Sequence, residues 1–197
     1  MQDTNGPQGQ TPPQWLALFN IKAVIVSVVF GLAALALVAA QLTLPIPGTG
    51  VVTDPREVFT TTGAALTGPV GGILIGVLAG IREPGGLVWA SMLAHISGGL
   101  WMGLSYKHLV HNRLKMPAML GGWAALVLGY YYVFVIPGFV IGQAFFYPGN
   151  ESLGDGRALV QAYVALARGA SPEAFLTLLV TTLVFYALPR RHRRPLW

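Results

Sequence analysis

The sequence predicts an all-α, polytopic transmembrane helix bundle, and three observations carry that reading. Long apolar runs fill the chain: 54% of its 197 residues are hydrophobic, 10% are charged, and the mean hydropathy is +0.61. The charges sit in short clusters between those runs. Finally, Gly68, Gly72, Gly76 and Gly80 recur at every fourth position inside the apolar stretch Val58 to Ile81. In water each mid-helix glycine costs about 1 kcal/mol against alanine, whereas in lipid a row of small residues lets two backbones approach and pack. The row therefore predicts a helix contact seam. A span takes roughly 20 apolar residues, leaving room for about five or six. They form one transmembrane domain over residues 14–189, between a polar leader rich in Gln, Pro and Gly at 1–13 and a basic tail at 190–197.

The first span is expected from about Phe19 to Leu42, after an interfacial Trp15, and Leu44-Pro-Ile-Pro-Gly-Thr-Gly50 ends it because prolines and glycines break the helix. The charged patch Asp54-Pro-Arg56-Glu57 precedes residues 58–81. As one helix those residues would run about 36 Å. Alternatively, Gly68-Pro69 is a turn between two short helices, with proline at its favoured first helical position. Arg82-Glu-Pro-Gly-Gly86 breaks the chain again, Leu87 to Tyr106 forms the next span, and Lys107 to Lys115 is the most basic internal loop. A further span is expected from Met116 to Ile136, ended or kinked at Pro137-Gly138, with aromatic Phe139 to Tyr147 near the interface. Asn150 to Gly156 reads as a polar loop, Arg157 to Arg168 as a short surface helix, and Glu173 to Leu188 as the last span before Arg190-Arg-His-Arg-Arg194.

Cytoplasmic loops carry an excess of Lys and Arg, so the Lys107 to Lys115 loop and the C-terminus belong inside. Counting back, a hairpin at 58–81 gives six helices with both termini cytoplasmic, and Lys22 then lies inside as the charge rule prefers. A single span there gives five helices and an external N-terminus. The six-helix count is the preferred reading. The location expected is a multi-pass protein of the cell inner or plasma membrane.

The formal charge of +5 and the pI near 9.8 come mainly from the arginine tail and the basic loop. They are topology signals and predict no nucleic-acid partner. The absence of cysteine excludes disulfides and thiolate metal sites. No nucleophile with a base, no paired catalytic carboxylates and no phosphate-binding loop in its required context is visible, so neither an enzyme nor a cofactor is expected.

Two family resemblances lie in residues 33–106. A small-residue first helix ending in Leu-Pro-Ile-Pro-Gly48, followed by Gly63-Ala-Ala-Leu-Thr-Gly-Pro-Val-Gly-Gly-Ile-Leu-Ile-Gly76, resembles the substrate-binding S-components of energy-coupling factor vitamin transporters. That resemblance implies six helices, both termini inside, a Gly-Pro junction between the second and third helices, and a separate coupling subunit with ATPases as partners. The same stretch is similar to the five-helix membrane receptor domain of LytS-type sensor kinases, where an Asp-x-Arg element, here Asp54-Pro-Arg56, precedes a glycine-rich hairpin and an Arg-x-x-Gly-Gly element, here Arg82 to Gly86, follows.

Several residues are candidates for ligand binding. His95 is the sole histidine expected inside a span, and an intramembrane ionisable group is a functional candidate by default. It shares a helix face with Gly99 and Gly103, pointing it into the bundle. No second metal-binding side chain lies within a helical turn of it, so no metal is expected. Asp54, Arg56, Glu57, Arg82 and Glu83 flank the 58–81 segment, in what the S-component resemblance makes the loops that close over substrate. Trp89 and Trp101 would line a cavity with His95. The resemblance puts ligand-specific polar groups in the last three helices, here Gln143 with Thr177, Thr181 and Thr182. Ala23, Ser27 and Gly31, then Ala36 and Ala40, make a second small-residue seam. By the same resemblance Ser27, Gly31, Ala36 and Ala40 would contact other membrane subunits.

The leading functional expectation is thus an integral membrane substrate-binding subunit of an energy-coupling-factor-like transporter for a small solute. The alternative is a sensor, or an accessory subunit of a larger membrane complex, that transports nothing. Lipid is a partner in either case.

Overall fold

A computed structural model describes residues 20–46, 52–113, 115–147, 155–188 and 193–197. The leader, Trp15 and parts of the 44–50 turn, the 150–156 loop and the 190–194 cluster lie outside the described residues. The described residues form five helices: α1 (Ile21–Ala39), α2 (Arg56–Gly80), α3 (Val88–Tyr106), α4 (Met116–Phe146) and α5 (Gly156–Ala187). Four of them, α1, α2, α4 and α5, are long and apolar enough to cross a membrane. Histidine, tryptophans, serines and glycines keep α3 less apolar, although its 19 residues reach about 28 Å. A two-residue antiparallel ladder, β1 (Leu44–Pro45) on β2 (Val52–Thr53), joins α1 to α2.

The expected count of six is not reached as separate helices, because residues 56–80 form one helical element. That element is nevertheless broken at its middle, where Gly68 has φ 81° and ψ −172°. Its ends meet: Arg56 Nη1 donates to Ala79 O at 3.0 Å. A straight helix would hold positions 56 and 79 about 34 Å apart, far beyond side-chain reach. Gly63 and Ile75 likewise lie face to face. The element is therefore a hairpin of two arms, 56–67 and 69–80, with Pro69 opening the second as its fixed φ favours.

The backbone at Gly68 lies in a region that is essentially glycine-only, and a Cβ there would also run into the Trp197 ring. Gly68→Ala is expected to cost about 1–3 kcal/mol, seen as a lower thermal midpoint of the detergent-solubilised protein. An unchanged midpoint would contradict the hairpin.

The glycine row is the seam between the second arm and α3. Any Cβ on Gly72 would meet Gly99 O, one on Gly76 the backbone of His95, and one on Gly80 the backbone of Met92. Gly103 in turn lies against Gly68 and Pro69. Both arms pack on α1: Gly63 of the first faces Phe30, and in the second Leu78 faces Gly31 and Gly71 faces Ser27.

Two further expectations are corrected. The chain does not break at Pro137: α4 passes from Met116 to Phe146 by way of a wider π turn at Tyr130–Val135, which accommodates the proline that follows. Nor are residues 157–168 a separate surface helix, since α5 is continuous for 32 residues, about 48 Å, through Pro172. Ser171 beside that proline donates to Ala167 O at 2.7 Å and accepts from Tyr132 on α4 at 2.8 Å. Serine hydroxyls and neighbouring helices stabilise prolines in membrane helices in this way.

A core of Trp123, Tyr106 and Phe185 closes the end of the bundle opposite the Arg56 cluster, with Trp123 stacked on Phe185 at 4.8 Å. The same end holds the hairpin tip and both ends of the described chain. Leu196 donates its N–H to Leu66 O and accepts from Asn20, while Lys107 lies over the Trp197 ring.

Candidate functional site

Because the hairpin brings its two ends together, residues far apart in sequence meet on one side of the bundle. Asp54 precedes the first arm and accepts from the Arg56 backbone N–H at 2.9 Å, satisfying one of the donors that a helix start leaves free. The Arg56 guanidinium lies 2.8 Å from Asp54 Oδ2 and 2.8 Å from Glu83 Oε2, just past the second arm. The Nε approach to Asp54 is a close ionic contact without aligned hydrogen-bond geometry. Ser91 on α3 also donates to Glu83 Oε2, at 2.9 Å. Burial pushes the Asp54 carboxyl above its ordinary range, opposed by the charge of Arg56.

One residue deeper, Glu57 is 3% exposed and His95 is 3% exposed. Glu57 Oε1 lies 2.9 Å from His95 Nε2, and Oε2 accepts from the Tyr130 hydroxyl at 2.5 Å. His95 Nδ1 faces Ser91 O at 2.7 Å. A backbone carbonyl only accepts, so Nδ1 carries a proton. The Nε2–Oε1 contact then holds a second proton, on the imidazole or on the carboxyl. Glu57 and His95 are thus hydrogen-bonded to one another inside the bundle.

These groups wall a cavity of about 170 Å³ between the hairpin, α3, α4 and α5. Arg56, Glu57, Glu83, His95 and Glu173 form its polar side, and Val135, Ile136, Phe139 and Leu166 its apolar side. The volume is close to the engineered cavity of roughly 150 Å³ that takes up benzene. A few convergent polar groups opposite an apolar wall are what small-molecule sites generally present. On the far side of Arg56, a groove of about 480 Å³ runs along Leu37, Val38 and Gln41 at the end of α1.

Of the candidate ligand-binding residues, the structure gathers Asp54, Arg56, Glu57, Glu83 and His95 around this cavity. Four others stand apart. Arg82 is exposed outside it. Trp89 is 59% exposed and packs on Phe146. Trp101 stacks on Phe134 at 5.0 Å and donates to Leu126 O. Gln143, half-buried on α4, does not line the cavity. Among the threonines, Thr177 bonds Tyr131 and Thr181 accepts from Trp123, fastening α5 to α4, while Thr182 donates to Leu178 O in its own helix. Ser27 and Gly31 face the hairpin, whereas Ala36 and Ala40 are exposed on α1.

Sequence reasoning missed Ser91, Tyr130, Tyr131 and Glu173. A signal existed for each: Ser91 is one helical turn before His95, Glu173 is a lone carboxyl entering an apolar run, and the tyrosines stand inside a span rather than at its border.

Comparison of the chain with protein-family models, with curated proteins and with solved structures finds no match to any of them.

Proposed function

We propose that this chain is a multi-pass membrane subunit that binds a small polar solute in the cavity beside Glu57 and His95, and presents it to a separate coupling subunit with its ATPases. The observation that carries this reading is the cavity itself, an ionic and titratable wall facing an apolar one at a size suited to a small molecule. The S-component resemblance supplies the energised partner.

The charge distribution supports an orientation. Asn20, Lys107 and Leu196 lie at one end of the bundle, and the positive-inside rule makes that end cytoplasmic. α1, α3, α4 and α5 then cross the bilayer, and the hairpin enters from the outer face. Counting each arm as a helix, that is the six-helix arrangement with both termini inside. The cavity opens near the outer face, where a solute arrives.

One observation favours a second reading, that of a sensor or accessory subunit. Arg56 is already ion-paired with Asp54 and Glu83, and Glu57 already bonds His95 and Tyr130, as they would in a purely structural cluster. Gentle detergent extraction followed by mass spectrometry of bound small molecules and proteins separates the two readings. The solute-binding reading expects a retained small molecule and a coupling module with ATPases. It also expects loss of that molecule in Ala170→Trp, which fills the cavity from its rim without touching the ion network. Recovery of a larger assembly with no such module, and of no small molecule, would replace it by the second.

A further inference from the structure

A second cavity, about 290 Å³, lies at the opposite end of the bundle from the Glu57 site, where α3, α4 and α5 converge. We propose that it is a binding site for the phosphate headgroup of an anionic phospholipid.

Its lining carries three arginines, Arg113, Arg193 and Arg194, beside His111 and the two tyrosines Tyr106 and Tyr186, and holds no carboxylate. The sequence contains no Asp or Glu between positions 84 and 150, nor after Glu173, and among the described residues none of the three arginines has a carboxylate within ion-pair distance. Gathering like charges without a counter-ion is unfavourable, and an anion placed among them relieves it. Arginine forks suit phosphate oxygens better than any other side chain does.

One fork is held in advance. Arg193 Nε donates to Leu188 O and Nη2 to Tyr186 O, both at 2.8 Å, and its guanidinium lies 5.1 Å over the Tyr186 ring. The Tyr106 hydroxyl fixes the Arg193 carbonyl at 2.7 Å. Arg113 and Arg194 stay exposed at the rim, free to close on a ligand.

The remaining lining decides the source of the phosphate. Met116, Met119 and Phe185 form the apolar wall, and it continues along the helices into exposed Leu120 and Val184. A free phosphate has no use for that wall, whereas a phosphodiester seated on the arginines would lay its acyl chains along it. Basic pockets between helices on the cytoplasmic side bind acidic headgroups by this arrangement.

The test is a native mass-spectrometry titration of the full chain with phosphatidylglycerol, phosphatidylcholine and inorganic phosphate. Preferential retention of phosphatidylglycerol is expected. The Arg113→Gln/Arg194→Gln double variant should lower that retention roughly thirtyfold, from about fivefold per arginine. Both positions are exposed, so the variant keeps its fold, and an unchanged thermal midpoint verifies this. Equal retention of the two lipids, retention unaffected by the double variant, or uptake of inorganic phosphate without lipid preference would each overturn the proposal.

Discussion

Replacing Arg56 with leucine is expected to cost about 3–5 kcal/mol of stability, the range for removing one partner of a buried charge cluster. Among the described residues, Arg56 is the one arginine or lysine in ion-pair contact with Asp54, Glu57 and Glu83, at 2.8, 3.7 and 2.8 Å. It also donates to Ala79 O, closing the open end of the hairpin. Without it, three carboxylates face each other at a site where Arg56 itself is only 8% exposed. Arg56→Lys should fall between wild type and Arg56→Leu, because an ammonium keeps the charge but cannot bridge Glu83, Ala79 O and Asp54 together. Adding Glu83→Gln to Arg56→Leu should recover part of the loss by removing one repelling charge. Thermal unfolding in detergent reads all three variants. A midpoint for Arg56→Leu equal to wild type would mean that the cluster is solvated and holds nothing together.

The parts of this architecture set by local spacing were legible in the sequence. A glycine every fourth residue is a statement about one helix face, and Gly-Pro inside an apolar run is a statement about a turn; both needed only helical geometry. Gathering Asp54, Arg56, Glu57 and Glu83 followed from that turn, since a hairpin returns its ends to one place. Helix rotation was harder to use. Trp89 and Trp101 each lie six residues from His95, about 600° of rotation, which leaves them roughly 120° to either side of it. If His95 faces the bundle, neither tryptophan can share its cavity.

Long-range closure was not legible at all. Tyr130 reaches Glu57 across 73 positions, and it does so from the start of a π turn that shifts the facing of every later residue on α4. Residues 157–168 and 173–188 read as two helices, and in water the Gly169 and Pro172 between them would indeed break one. The polar pairs from Ser171, Thr177 and Thr181 to α4 keep the helix whole, and they involve partners that no single-segment pattern contains.

The glycine seam makes the sharpest demand on sequence, and Gly72→Ala is expected to have the second largest effect. A methyl group at position 72 would fall on Gly99 O, and one at position 99 on Gly72 O. Backbone opposes backbone there, so no side chain can turn aside, and the arm must move away from α3. Overpacking of this kind costs about 1–3 kcal/mol. The displacement is not local, because the second arm is tied through Ala79 O to Arg56 on the first, next to the Glu57 that meets His95. Gly72→Ala should therefore lower both the thermal midpoint and the retention of any cavity solute, and Gly72→Leu should lower them further. Gly121 supplies the control: it lies in α4 with open space where a Cβ would go. Gly121→Ala should leave both readouts unchanged or raise stability by up to about 1 kcal/mol through helix propensity. If Gly72→Ala behaved like Gly121→Ala, the close approach of hairpin and α3 would be wrong, and with it the placement of Glu57 on His95.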